Sequence, residues 1–321
     1  MMKSKRMKKP SIYNFEDRKA FVFCYIMIGI PFAFFILFWV SINFSSFTLA
    51  FQDMNGDPTW QNFADVFKGF KTKDVYIQQN LTQVLFRTLA MWFSIYILCL
   101  IPSLFSSYIL YKKMPGHYIF RVIFMIPTIL AGLVWIMIMK YMVGVGGPVM
   151  ELANKMGIKL SLEVQQKGLL GSTATAFPTI LIISVLPHII GFNMVITGAY
   201  ARIPIELFEV GKLEGLGFIR EFFVISLPLV WPTLTTLMLA NFASMFTFDG
   251  NIFLYTKGGY ETATMGFYIF ELTRRISDTA DTVTVQYGYP AAIGMTLTFI
   301  TIPVVFLGRF VLEKAIPTVE Y

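Results

Sequence analysis

The chain has 321 residues, 56% hydrophobic, 17% aromatic and only 14% charged, with a mean hydropathy of +0.64. Soluble domains carry about a quarter charged residues, so this balance excludes an ordinary soluble domain and sets the frame of a membrane protein. The net charge of +7 would suggest nucleic acid in a soluble domain, but in a membrane chain it follows from Lys and Arg gathered at cytoplasmic ends.

The opening MMKSKRMKKP and the apolar run behind it resemble a secretory signal. The run over 20–43 is longer than the about 7–15 residues of a signal core and has no small-x-small cleavage site. A retained first membrane helix is expected there, behind a basic cytoplasmic tail at 1–19. About 20 apolar residues are needed to cross the hydrocarbon core with every backbone group satisfied. Six segments meet that test: 20–43, 81–111, 118–143, 174–200, 226–255 and 287–312. The expected fold is all-α and integral to the membrane.

With the N-terminus inside, the cytoplasmic pieces hold Lys3, Lys5, Arg6, Lys8, Lys9, Arg18 and Lys19, then Lys112, Lys113 and Arg121, then Arg202, Lys212 and Arg220, and finally Arg309 and Lys314. The opposite loops, 44–80, 144–173 and 256–286, spread fewer cations over more residues. This asymmetry places both termini in the cytoplasm. Cys24 and Cys99 lie in apolar runs without the neighbours of a metal or redox pair, so no disulfide framework is indicated.

Between the fourth and fifth spans the chain reads IELFEVGKLEGLGFIREFFVISLP, from Ile205 to Pro228. Pro204 suits the start of a helix, and Glu206 and Glu209 suit the positive end of its dipole. Leu207 and Val210 share one face by i, i+3 spacing, and Glu206, Glu209 and Lys212 share another. Gly215 and Gly217 permit a sharp break before a second apolar surface begins at Phe218. The expectation is a short helix, a bend and a second short helix. Taken by periodicity alone, an interfacial connecting helix fits equally well.

The spacing is more specific. Glu209, Gly215, Ile225, Leu227 and Pro228 stand in the register Glu-x-x, three residues, Gly, nine residues, Ile, one residue, Leu-Pro. This resembles the Glu-Ala-Ala loop of permease subunits of bacterial ATP-binding-cassette (ABC) importers. Val210 and Gly211 replace the paired alanines and are poorer helix formers, and Leu216 replaces a small residue after the glycine. The stretch from Phe246 onward, with Thr256 to Gly259 and Tyr287 to Tyr289, is similar to the last two spans of carbohydrate-type, maltose-permease-like members. The resemblance covers about 81–312, with the first helix as an addition.

That resemblance implies a type I importer permease fold: a five-helix core at 81–312, a cytoplasmic coupling loop at 201–225 and a short cytoplasmic tail at 313–321. It implies a non-catalytic subunit, with ATP and Mg handled by two cytoplasmic ATPases, a second related permease beside it, and an external solute-binding protein. The coupling residues it implies are Glu206, Glu209, Val210, Gly211, Gly215, Ile225, Leu227 and Pro228. In the maltose-permease-like group that this chain resembles, the stretch corresponding to Asn241 to Phe248 contacts sugar. The resemblance carries over the location but not the contacts, since the residues differ here. The implied substrate pathway is Asn241, Ser244, Met245, Phe248 and Asp249, with Gly191, Phe192 and Asn193 from the fourth span. The alternative role for Asn241 and Ser244 is hydrogen bonding between helices.

No phosphate-binding loop is present, since Glu206 stands where the first glycine before Gly211-Lys212 would be required. His117 and His188 are far apart in the chain, and neither belongs to a catalytic or zinc arrangement. His188, beside Pro187 in a span, reads as a structural or pathway-lining residue. Three readings remain as rivals: a permease of the same fold for a non-sugar solute, an ion-coupled secondary transporter and, last, a non-transport membrane scaffold. The second would want intramembrane acidic or histidine relays and visible repeats.

Overall fold

The computed structural model describes residues 15–53, 55–74, 79–278 and 287–315. The described residues are helical with turns between, and six stretches are long and apolar enough to cross a membrane: Phe21–Ala50, Leu81–Tyr111, Gly132–Lys155, Ala176–Tyr200, Phe218–Ala243 and Gly288–Ala315. They are called the first to sixth spans below.

The second span starts with a capping box, in which the Asn80 side chain accepts from the Gln83 backbone and Gln83 reaches back to Asn80. Two backbone donors that the helix cannot use internally are thereby satisfied. Its bounds, and nearly those of the fourth and sixth spans, agree with the hydropathy reading. The first span runs on to Ala50, and its side chains are exposed from Phe21 to Phe47. It stands outside the bundle core and meets it near Ala50, against the sixth span.

Two expected spans differ. The third, placed at 118–143, is divided into helices His117–Ile129 and Gly132–Val143 by extended backbone at Leu130 and Ala131. Pro127 gives its turn no N–H, and Gly132 is a weak helix former, so the helix is poorly held there. The stretch long and apolar enough to cross is Gly132–Lys155, made of the helices Gly132–Val143 and Pro148–Lys155. The fifth was placed at 226–255 but ends at Ala243. Past it, Asp249 Oδ1 accepts from the Asn251 N–H at 3.2 Å, Gly250 and Asn251 take positive φ, and only a short helix, Ile252–Tyr255, follows. That turn chemistry ends a helix whatever its hydropathy.

The core lies between the second and fourth spans. Met91, Ile95, Cys99 and Tyr108 of one face Ile180, Ile196 and Tyr200 of the other, all buried. Hydrogen bonds cross the same seam from Ser103 Oγ to the Ile189 carbonyl at 3.0 Å and from Ser107 Oγ to the Asn193 carbonyl at 3.2 Å. Small hydroxyl residues let two membrane helices approach closely and bond.

Contacts between elements distant in sequence fix the two ends of the bundle. At one end the segment after Tyr200 meets the close of the second span, and the Trp231 indole donates to the Leu312 carbonyl at 3.0 Å. At the other end Asp74, Tyr268, Tyr289 and Leu81 line one small cavity, and Arg87 pairs with Glu261.

Candidate functional site

The charged segment folds as one helix, Ile205–Leu213, with Pro204 as its N-cap in extended backbone. A turn follows in which Gly215 takes φ +75°, the left-handed region that glycine enters without a Cβ penalty. The expected second short helix is not separate: helix resumes at Phe218 directly after Gly217 and continues as the fifth span. Within it, Phe222–Ser226 form a π-helical turn just ahead of Pro228. In a regular α-helix the ring of Pro228 would press on the Val224 carbonyl; the wider turn absorbs that conflict.

The face assignment also changes. Phe208 and Gly211 form the buried face of the charged helix, while Val210 is 52% exposed. Glu206, Glu209, Val210 and Leu213, spaced i, i+3, i+4 and i+7, make one outward stripe with Leu213 88% exposed. A carboxylate-flanked apolar ridge therefore projects from the bundle.

Gly211 sits against Ile225 and Leu216. A β-carbon there would lie 2.7 Å from Ile225 Cδ1 and 3.3 Å from Leu216 Cδ1. Gly211 and Leu216, which depart from the Glu-Ala-Ala loop pattern that the segment resembles, are thus neighbours in space: the leucine side chain fills room that the glycine leaves. Ser226 is buried between Ile225 and Leu227, which are half-buried with Pro228.

Beneath the charged helix lies a residue group that the sequence reading missed. Phe208 packs on Tyr111, with ring centroids 5.5 Å apart, and the Lys112 ammonium stands 4.3 Å from the Phe208 ring centre. Lys112 forms an ion pair with Glu221, which is 4% exposed, and the Tyr108 hydroxyl donates to the same carboxylate at 2.7 Å. Burying a carboxylate is costly unless it is paired and hydrogen-bonded, and these partners supply both.

The residues expected to line a pathway divide into two groups. Asn193 is buried and consumed by packing: its Nδ2 donates to Ser106 Oγ at 2.6 Å, and its Oδ1 accepts from Thr197 at 3.2 Å. The Asn241 carbonyl accepts from the Trp92 indole at 2.9 Å and from Ser244 Oγ at 3.1 Å. Met245 is buried, Asp249 holds its turn, and Gly191 is open to its surroundings. Phe192 and Phe248, however, are brought together. Each meets Tyr96 edge-on, at 6.0 and 5.7 Å between ring centres, and His188 stands 5.7 Å from both Tyr96 and Phe248. Tyr96 lies in a π-helical turn, Phe93–Ile97, at mid-length in the second span. Such turns redirect side chains, and no hydropathy pattern marks them.

Among the described residues, no group of three or more His, Cys, Asp or Glu is placed to hold a metal ion.

Comparison with known proteins agrees in sequence and in fold. A probable ABC transporter permease protein of Brucella suis biovar 1 is 24% identical over 233 residues, 71% of this chain and 76% of that protein. The maltose/maltodextrin transport system permease protein MalF of Vibrio cholerae is 27% identical over 205 residues, and that of Escherichia coli 25% over 201. Those matches cover 62% of this chain but only 36% and 37% of the MalF proteins, so the chain spans about a third of their length. No family model matches the chain. Among solved structures, a bacterial ABC transporter involved in the import of the acidic polysaccharide alginate superposes with a TM-score of 0.75 at 14% identity, covering 94% of this chain and 98% of that one. A second structure of the alginate transporter, in complex with its alginate pentasaccharide-bound periplasmic protein, gives the same TM-score over 95% of this chain.

Proposed function

We infer that this chain is the membrane-spanning permease subunit of a carbohydrate-type ABC importer in a bacterial cytoplasmic membrane. The observation that carries the reading is the helix Ile205–Leu213: it stands in the Glu-to-Leu-Pro register, is anchored by Phe208, and presents Glu206, Glu209, Val210 and Leu213 outward. An apolar ridge between carboxylates suits a groove with an apolar floor and a basic rim. The partner in that groove is a cytoplasmic ATPase, one of two, which binds ATP and Mg and supplies the energy. This chain is the non-catalytic partner, and the end bearing the charged helix faces the cytoplasm.

A second permease completes the pathway, and an external solute-binding protein delivers the substrate. The cluster of Tyr96, Phe192 and Phe248 with His188 offers aromatic edges and faces of the kind that bind the C–H patches of sugars. A sugar or oligosaccharide is the substrate class this supports, and a non-sugar solute on the same fold is the alternative. An ion-coupled mechanism has less support: the buried carboxylate of the fifth span, Glu221, is already paired with Lys112.

The test is purification from native membranes followed by reconstitution in liposomes. An ATPase and a second permease co-purify, and mixed oligosaccharides stimulate ATP hydrolysis when the binding protein is present. Purification of the chain without any ATP-binding partner refutes the reading, and stimulation only by non-sugar solutes corrects the substrate class.

A further inference from the structure

Resting on that reading, we propose that Lys112 and Glu221 form a latch that makes the charged helix and the end of the second span move as one body, so that Lys112 is a positioning residue for energy coupling. Lys112 joins three elements. Its ammonium pairs with Glu221 at the start of the fifth span and lies 4.3 Å from the ring centre of Phe208 in the charged helix. Its own backbone is the C-cap of the second span. Tyr108, one turn earlier, closes the group: its hydroxyl donates to Glu221 at 2.7 Å and also reaches the Phe218 carbonyl at 3.5 Å.

Covalent connection does not explain this link. The charged helix is joined by sequence to the fourth and fifth spans, not to the second. Without the latch, the charged helix would meet the end of the second span through the packing of Phe208 on Tyr111, beside Phe222 on Phe105, whose rings stack at 4.5 Å. The hydrogen bonds of Ser103, Ser106 and Ser107 lie further along the second span, against the fourth. Apolar contact is non-directional and permits sliding. A buried ion pair fixes register, because leaving either partner unpaired in a low-dielectric site is strongly unfavourable. The cation over the Phe208 ring adds a directional contact to the helix itself. The second span also carries Tyr96, at the centre of the aromatic cluster. The latch therefore lies on a continuous path from the charged ridge to the pathway residues.

The test uses the assembled transporter in liposomes, with spin labels at Lys212 on the charged helix and Met114 beyond the second span, both exposed. In the otherwise unmodified protein the distance between labels is narrow and does not change when ATP and vanadate are added. Lys112→Met with Glu221→Gln removes both charges and keeps an acceptor for Tyr108, so no charge is left unpaired. In that double variant the distribution broadens or shifts with ATP and vanadate, while nucleotide is still trapped. Lys112→Arg, which keeps the cation, restores the narrow distribution. A second variant, Phe208→Leu, leaves the ion pair intact and gives a smaller broadening.

A double variant with the unmodified narrow distribution in both states overturns the latch, and so does a distance that already changes in the unmodified protein. Absence of trapped nucleotide in the unmodified assembly is a different failure. It refutes the ATPase-driven reading itself and the latch with it.

Discussion

Gly211 and Ile225 approach so closely that a β-carbon on the glycine would stand 2.7 Å from the isoleucine Cδ1. With Leu216 on the other side, this contact seats the charged helix on the start of the fifth span. Gly211→Ala gains helix propensity of about 1 kcal/mol but forces Ile225 and Leu216 to move, so it is nearly neutral. Leu216→Ala alone leaves space unfilled and destabilises. The pair should be favourably coupled by about 0.5 kcal/mol or more. A thermal-unfolding double-mutant cycle in detergent checks the sign, and additive single effects would contradict the packing described.

Gly215 acts through its backbone. Nothing lies within 4 Å of a β-carbon built there, yet φ is +75°. Gly215→Val therefore costs about 1–2 kcal/mol from the left-handed conformation alone, whereas Gly215→Asn costs less, since Asn tolerates that region. Transport and ATPase activity compared across the two variants test this: equal loss would mean that side-chain bulk, not φ, is the constraint.

Asn193 and Phe248 should separate by assay. Asn193→Ala removes bonds to Ser106 and Thr197 inside the helix seam and lowers stability by about 1–3 kcal/mol. Phe248→Ala opens the aromatic cluster and raises the substrate concentration needed for half-maximal stimulation of ATP hydrolysis, with a smaller effect on unfolding. Unchanged substrate dependence in Phe248→Ala would remove that cluster from the pathway.

Glu271, in the helix Met265–Asp278, accepts from Arg274 at 2.8 and 3.0 Å and from Arg275 at 2.7 Å. Hydrogen bonds from Arg274 above all, with those from Arg275, hold its carboxyl below the usual range against the opposing effect of burial. A carboxyl depressed in the folded state contributes stability above its unfolded pKa and loses it as pH falls through the folded value. Glu271→Gln should therefore be less stable by about 1 kcal/mol at pH 7, with the difference shrinking at pH below about 4. Thermal unfolding across pH 3–7 checks it, and a difference constant with pH would show that the ion pairs contribute nothing.

The spans and the charged register were legible because both are written in local signals: unbroken apolar runs such as 81–111, and a fixed spacing from Glu209 to Pro228. Hydropathy could not find the ends of the third and fifth spans, since Leu130, Ala131 and the Asp249–Asn251 turn stop helices by backbone geometry rather than polarity. The charged helix was placed correctly but turned wrongly. Gly211 contributes no apolar side chain, so the Phe208–Gly211 face was invisible beside Leu207 and Val210. Lys112, Glu221 and Tyr96 were unreadable for another reason: their partners are distant in sequence, and only the fold brings them together.

The central claim is that the ridge of the charged helix meets an ATPase, and a photo-crosslinking scan from 205 to 213 in native membranes tests it most directly. Crosslinks to one ATP-binding protein at Glu206, Glu209, Val210 and Leu213, with none at Phe208 or Gly211, are the predicted result. Crosslinks to lipid alone, or to no ATP-binding protein at any position, would contradict it.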